Sequence, residues 1–107
     1  MGNCTVTVLK KNVRPSGRSS IVRITFSGAY AAGGDTVPRA ALGIGNRVSA
    51  LLIAGASNPG GNTISVIPGA NEYTDPKLKA FTPAGVEVTG NQATESVIAE
   101  AIASPYK

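Results

Sequence analysis

The stretch that decides the fold is Ser20-Ile21-Val22-Arg23-Ile24-Thr25-Phe26-Ser27. Val22, Ile24 and Phe26 fall on one side of an extended chain, and Ile21, Arg23 and Thr25 fall on the other. This is the two-residue period of a strand buried on one face, and it assigns Phe26 to the core. Upstream, Thr5-Val6-Thr7-Val8-Leu9 alternates Thr with Val and predicts a second strand with one apolar face. Downstream, Val48-Ser49-Ala50-Leu51-Leu52-Ile53-Ala54 is apolar on both sides, which predicts the most buried strand of the molecule. Thr63-Ile64-Ser65-Val66-Ile67 predicts another, ended by Pro68-Gly69.

Turn residues punctuate these runs. Ser57-Asn58-Pro59-Gly60-Gly61-Asn62 is a turn. Glu72-Tyr73-Thr74, a turn at Asp75-Pro76 and Lys77-Leu78-Lys79-Ala80-Phe81-Thr82 predict a hairpin, followed by Val86-Glu87-Val88. Between Asp35 and Gly43 the chain predicts one short helical turn, with Asp35 or Thr36 as its cap, Pro38 in its first turn and Gly43 at its end. Residues 95–104 admit two readings. A strand would place Val97, Ala99, Ala101 and Ala103 on one face, whereas a helix would group Ile98, Ala101 and Ile102; the all-β surroundings favour the strand. The expectation is a mainly β, single-domain antiparallel β-sandwich or small β-barrel spanning residues 1–107, with one short helical turn.

Composition narrows the function. The 107 residues suffice for one domain, and 42% of them are apolar, which excludes wholesale disorder. Aromatics make up 5% and Trp is absent, so Val, Ile, Leu and Ala must fill the core. Cys4 has no partner for an internal disulfide and reads as a small buried hydrophobe. Met1-Gly2-Asn3-Cys4-Thr5 lacks the apolar run of a signal peptide, and Val6 breaks the myristoylation motif. No run approaches the roughly 20 apolar residues of a membrane span. A soluble chain made without export, with no membrane partner, is therefore expected.

The net charge of +4 is unevenly distributed. Lys10, Lys11, Arg14, Arg18 and Arg23 all precede the first acid, Asp35, and the remaining five basic and six acidic residues balance at −1. Residues 10–19, basic and marked by Pro15 and Gly17, predict an exposed arm or loop within the domain. Lys10, Lys11, Arg14 and Arg18, with Tyr106 in the tail, are the candidate partner-contact residues. The plainer reading of the same cluster is a solvated loop.

The sequence gives little material for catalysis. The chain has no His, the commonest general base near neutral pH and the commonest transition-metal ligand. One Cys without His makes neither a thiol–imidazole pair nor a zinc site. Gly43-Ile44-Gly45 lacks the rest of a dinucleotide fingerprint, and Gly60-Gly61 is not followed by Lys-Ser/Thr. No enzyme activity, cofactor, metal or small-molecule substrate is expected. A small basic β-barrel suggests single-stranded nucleic acid, but Phe26, Tyr30, Tyr73, Phe81 and Tyr106 are not interleaved with the basic cluster as stacking platforms would be. Nucleic acid is therefore an alternative and not the leading partner.

In order along the chain come Ile24-Thr25-Phe26, Tyr30, Gly33-Gly34-Asp35, Leu42-Gly43-Ile44, Asn71-Glu72-Tyr73 and Lys77-Leu78-Lys79-Ala80-Phe81. This succession resembles a group of small tailed-phage structural proteins, several of them head decoration or cement proteins encoded beside the major capsid protein. The likeness spans about residues 20–103, with a longer insert around Ser57–Asn62, and leaves the basic N-terminal segment outside it. It implies a virion protein on the outside of a phage head, made in the host cytoplasm. Such a protein would bind the major capsid protein, form a homo-oligomer (dimer or trimer) and clamp neighbouring capsid subunits. A tail or head–tail connector component is the alternative within virions.

Overall fold

The computed structural model describes residues 3–11, 18–30, 32–45, 47–57 and 61–103. Its strands are β1 (Thr5–Lys11), β2 (Arg18–Thr25), β3 (Asp35–Thr36), β4 (Ala50–Ser57), β5 (Thr63–Ile67), β6 (Lys77–Phe81) and β7 (Ser96–Ala103), with one 3₁₀ turn at Arg39–Leu42. They form a four-stranded sheet ordered β1-β2-β7-β4 and a three-stranded sheet ordered β3-β6-β5. Every strand pairing within them is antiparallel. The fold is mainly β, in a sandwich-like arrangement of two sheets over one core. Among the described residues, no helix is long and apolar enough to cross a membrane.

The alternation of residues 20–27 sets the architecture. Val22 and Ile24 are fully buried, and Phe26 is 2% exposed. Each contributes about 1.5–3 kcal/mol by leaving water. Beside β2 runs β7, whose Val97, Ala99, Ala101 and Ala103 are buried while the intervening residues are half-buried. The strand reading of this segment is therefore the correct one. Ala side chains at the middle of the sheet leave volume for Phe26, Leu42, Ile44 and Leu78, all nearly or fully buried in the same core cluster. Cys4 lies in that cluster too, where burial, and secondarily the charge of Asp35, pushes its thiol up to about 12.

Several expectations need correction. The run at residues 48–54 is not the most buried strand: β4 is the edge of its sheet, and although Leu51 is buried, Leu52 is 49% and Ile53 37% exposed. The centre is taken by β2 and β7, so an apolar run on β4 has one neighbour instead of two. Asp35 does not cap the helical turn. It belongs to β3, and its fully buried carboxylate accepts hydrogen bonds from the Ser27 N–H and Oγ, both at 2.8 Å. Pro38 precedes the turn without a side-chain cap, and Gly43 ends it in the left-handed conformation at φ 76°. The partners of β6 are β5 and β3, not residues 72–74. Asn71 bends those residues by accepting from the Tyr73 N–H at 2.8 Å and the Thr74 hydroxyl at 3.2 Å. Residues 86–88 form no strand, only a bridge from Glu87 to Phe81.

The expected arm over residues 10–19 is also shorter than its composition suggests. β1 runs on to Lys11 and β2 begins at Arg18, so both ends of the basic segment are held in pairs, Lys11 with Ser20 and Arg18 with Ala103. A register shift between Val8 and Lys10 lets β1 continue past its alternating stretch.

Candidate functional site

The two sides of the sandwich differ. On one side Asn3 bridges to Thr36, and the Cys4 N–H donates to the Thr36 carbonyl at 2.7 Å, tying the start of β1 to β3. On the other side β4 and β5 are both sheet edges, and among the described residues no strand pairs with their open flanks. Between them opens a cleft of about 160 Å³. Val48, Ala50, Leu51, Val66, Pro68 and Pro76 give it an apolar lining, and Ser49 and Glu72 give it a polar lip.

Local chemistry fixes this rim. The Val48 N–H donates to the Glu72 carbonyl at 2.9 Å, so the loop over residues 68–76 lies against the beginning of β4. Arg47 Nε pairs with Glu72 Oε1 at 3.0 Å, and the Ser49 hydroxyl donates to the same oxygen at 3.2 Å. Below it, Arg39 donates to Asp75 Oδ1 through its Nε at 2.8 Å and its backbone N–H at 3.2 Å. Leu52, Ile53, Ile67 and Tyr73, the last 54% exposed, belong to the two edges and this loop. None of the four lines the cleft itself; Leu52, opposite Glu100, and Ile67, opposite exposed Lys77, lie on the outer faces of their sheets.

A second constellation holds the opposite end of β6. The Tyr30 hydroxyl donates to Glu87 Oε2 at 2.6 Å and accepts from the Ala80 N–H at 3.2 Å, while the Gly33 N–H donates to the same Glu87 oxygen at 2.9 Å. Burial, then the hydrogen bond to Glu87, pushes the Tyr30 phenol up to about 12. The hydrogen bond from Tyr30 chiefly holds the Glu87 carboxyl below its ordinary value. The tyrosine ring stacks on Phe26 with centroids 6.1 Å apart. The arrangement joins two loops to a strand.

The residues singled out from the sequence are not brought together as one patch. Lys10 pairs with Ile21 and Lys11 with buried Ser20, so the two exposed lysines leave β1 on opposite faces of the sheet. The stem of Lys11 passes the end of the 3₁₀ turn, where a Cβ on Gly43 would lie 3.2 Å from its Cε. The backbone of Arg18 opens β2. Arg14, Tyr106 and the side chain of Arg18 lie outside the described residues. Reading the sequence missed the β4–β5 cleft, whose one available signal was the uncharged run at residues 50–57. It also missed that Lys77, Lys79 and Phe81 share a face of β6, with Lys79 Nζ 5.5 Å from the Phe81 ring centre.

Compared with known proteins, the chain matches no family model, no curated protein and no solved structure.

Proposed function

We propose that this chain is a non-catalytic structural protein of a tailed-phage virion, a cement or decoration protein that binds the outer surface of the head and stabilises contacts between major capsid subunits. The observation that carries the reading is a two-sheet β body that leaves the β5 edge unpaired among the described residues, with Ile67 on that edge and Tyr73 in the loop after it exposed. The resemblance of residues 20–103 to phage structural proteins supplies the setting. A cement protein needs a stiff body and surfaces that bury area between neighbours, and many weak copies act together on a repeating lattice. The test is to add the recombinant protein to expanded capsids that lack it. Binding and increased resistance to heat or pressure are expected, and no binding at micromolar concentration overturns the reading. Copy number relative to the major capsid protein separates cement, which is abundant, from a tail or connector component, which is scarce.

A second reading, single-stranded nucleic-acid binding, draws on the Lys77–Lys79–Phe81 face, where two cations and a ring alternate along one strand. It predicts a salt-dependent mobility shift of a labelled oligonucleotide that Lys77→Ala/Lys79→Ala abolishes. Unchanged mobility at low salt discards it.

A further inference from the structure

The β4 edge is unguarded. Its eight residues, Ala50-Leu51-Leu52-Ile53-Ala54-Gly55-Ala56-Ser57, contain no charge and no proline, which are the usual guards of an open edge. The other edge of the same sheet, β1, carries Lys10 and Lys11, and a second copy placed there would set like charges together. The edges of the smaller sheet are short: β5 is five residues long and stops at Pro68, and β3 is two residues long.

Symmetry fixes how two β4 strands can join. Two antiparallel strands related by a two-fold axis in one sheet require that axis to stand perpendicular to the sheet. Opposed residues then lie on the same face, and the axis passes through a residue pairing with itself. β4 has a register shift between Ile53 and Gly55, so the regular part available is Ala50–Ile53; of its two central residues Leu51 is buried and Leu52 exposed, which puts the axis at Leu52.

That register accounts for three features together. Leu52, half exposed on the outer face opposite Glu100, meets Leu52 of the second copy. Ile53 pairs with Ala99 and so belongs to the core-facing side, yet it is 37% exposed. Across the axis it would cover Leu51 of the second copy, at the lip of the apolar cleft. We propose that a second copy of this chain docks antiparallel on β4, centred on Leu52, with Ile53 of each copy closing the cleft lip of the other.

Charge permits this junction. In the continuous eight-stranded sheet the two lysine-bearing β1 strands are outermost, about 34 Å apart at ordinary strand spacing. Screening acts over about 8 Å at physiological salt, so the net charge of +4 does not oppose pairing through β4.

The experiment uses the full chain alone, so its outcome is independent of whether the protein binds capsids. Sedimentation velocity over concentrations on the order of 1–100 µM should show a monomer–dimer equilibrium. Leu52→Lys, which places two ammonium groups face to face on the axis, should weaken it at least about tenfold. Thr7→Lys, exposed on β1, should leave it unchanged. Leu52→Cys should form a covalent dimer under mild oxidant, because a residue opposed to itself has its Cβ atoms within about 5.5 Å; Thr7→Cys should not. Circular dichroism of each variant establishes that it is folded. A wild-type chain that stays monomeric throughout overturns the proposal, as does a dimer that a folded Leu52→Lys leaves intact.

Discussion

Replacing Tyr30 by Phe removes one oxygen atom and tests the polar site that joins two loops to β6. The ring is retained, so the stack on Phe26 and the burial of the side chain survive. Two hydrogen bonds are lost, one given to the Glu87 carboxylate at 2.6 Å and one received from the Ala80 N–H at 3.2 Å. The second loss matters more than its length suggests. The Ala80 carbonyl accepts from the Val88 N–H, so this residue's backbone groups point away from β5, and Ala80 is only 1% exposed. β3 pairs with β6 only at Lys77 and Leu78. The phenol oxygen thus takes the place of a neighbouring strand for the Ala80 N–H. Stranding that buried donor costs about 1–3 kcal/mol, whereas the Glu87 carboxylate replaces its lost partner with water. A net loss of about 1–3 kcal/mol is expected, equivalent to roughly 5–15 °C in Tm for a domain of this size. Urea unfolding followed by circular dichroism measures it, with the m-value checked for constancy. Adding Glu87→Gln completes a double-mutant cycle, in which the second substitution should cost much less once Tyr30 is gone. A loss below about 0.5 kcal/mol for Tyr30→Phe, the level of an ordinary surface substitution, would refute the argument.

Cys4 should react with a thiol reagent such as Ellman's reagent only as fast as the protein opens, and fully on addition of denaturant, because its thiol is buried and pushed up to about 12. Rapid labelling of the native protein at pH 8 contradicts that environment. Gly34→Ala should destabilise the fold by more than about 1 kcal/mol in urea titration, since φ is 115° and the new Cβ would lie 2.9 Å from the Leu78 carbonyl oxygen. Stability should also depend on pH at both extremes. Glu87 is held below its ordinary value when folded, so its contribution is present above the unfolded carboxylate range and is lost as pH falls through the lower folded value. Tyr30 is raised, so its contribution is complete below pH 10, the ordinary phenol value, and is lost as pH rises towards 12. The stability gap between wild type and Tyr30→Phe should therefore narrow at both ends, and parallel curves would count against the pairing.

Alternation was legible wherever it reported a local fact. Val22, Ile24 and Phe26 face inward because each residue's side follows from its neighbours along the chain, and the same holds for Val97 to Ala103. The burial of β4 was not legible. Whether an apolar strand is central or peripheral depends on which strands flank it, and β7 reaches β4 from almost fifty residues away in sequence. Asp35 looked like a cap because Asp before a Pro-marked turn usually is one; its actual donor is Ser27, on the far side of the Tyr30 loop. Lys10 and Lys11 looked like a patch because they are adjacent, and strand geometry then sent them to opposite faces. Of the candidate site, the sequence revealed only the uncharged run over residues 50–57, and the cleft beside it is made by loop residues 68–76 brought near by folding.

The strand order has a consequence for how the chain is made. β7 lies between β2 and β4, so the larger sheet has no centre until residues 96–103 have been synthesised. Until then β1 and β2 can form at most a hairpin, too little for independent stability. The greasy segment 50–57 meanwhile waits in the cell without its neighbour. Closing such distant pairings is slow compared with local folding, and an emerging chain in that condition is prone to stick to others. Yield of soluble protein should therefore respond more to slower, cooler expression than to surface substitutions, and nascent chains stalled before residue 96 should be the species that chaperones retain.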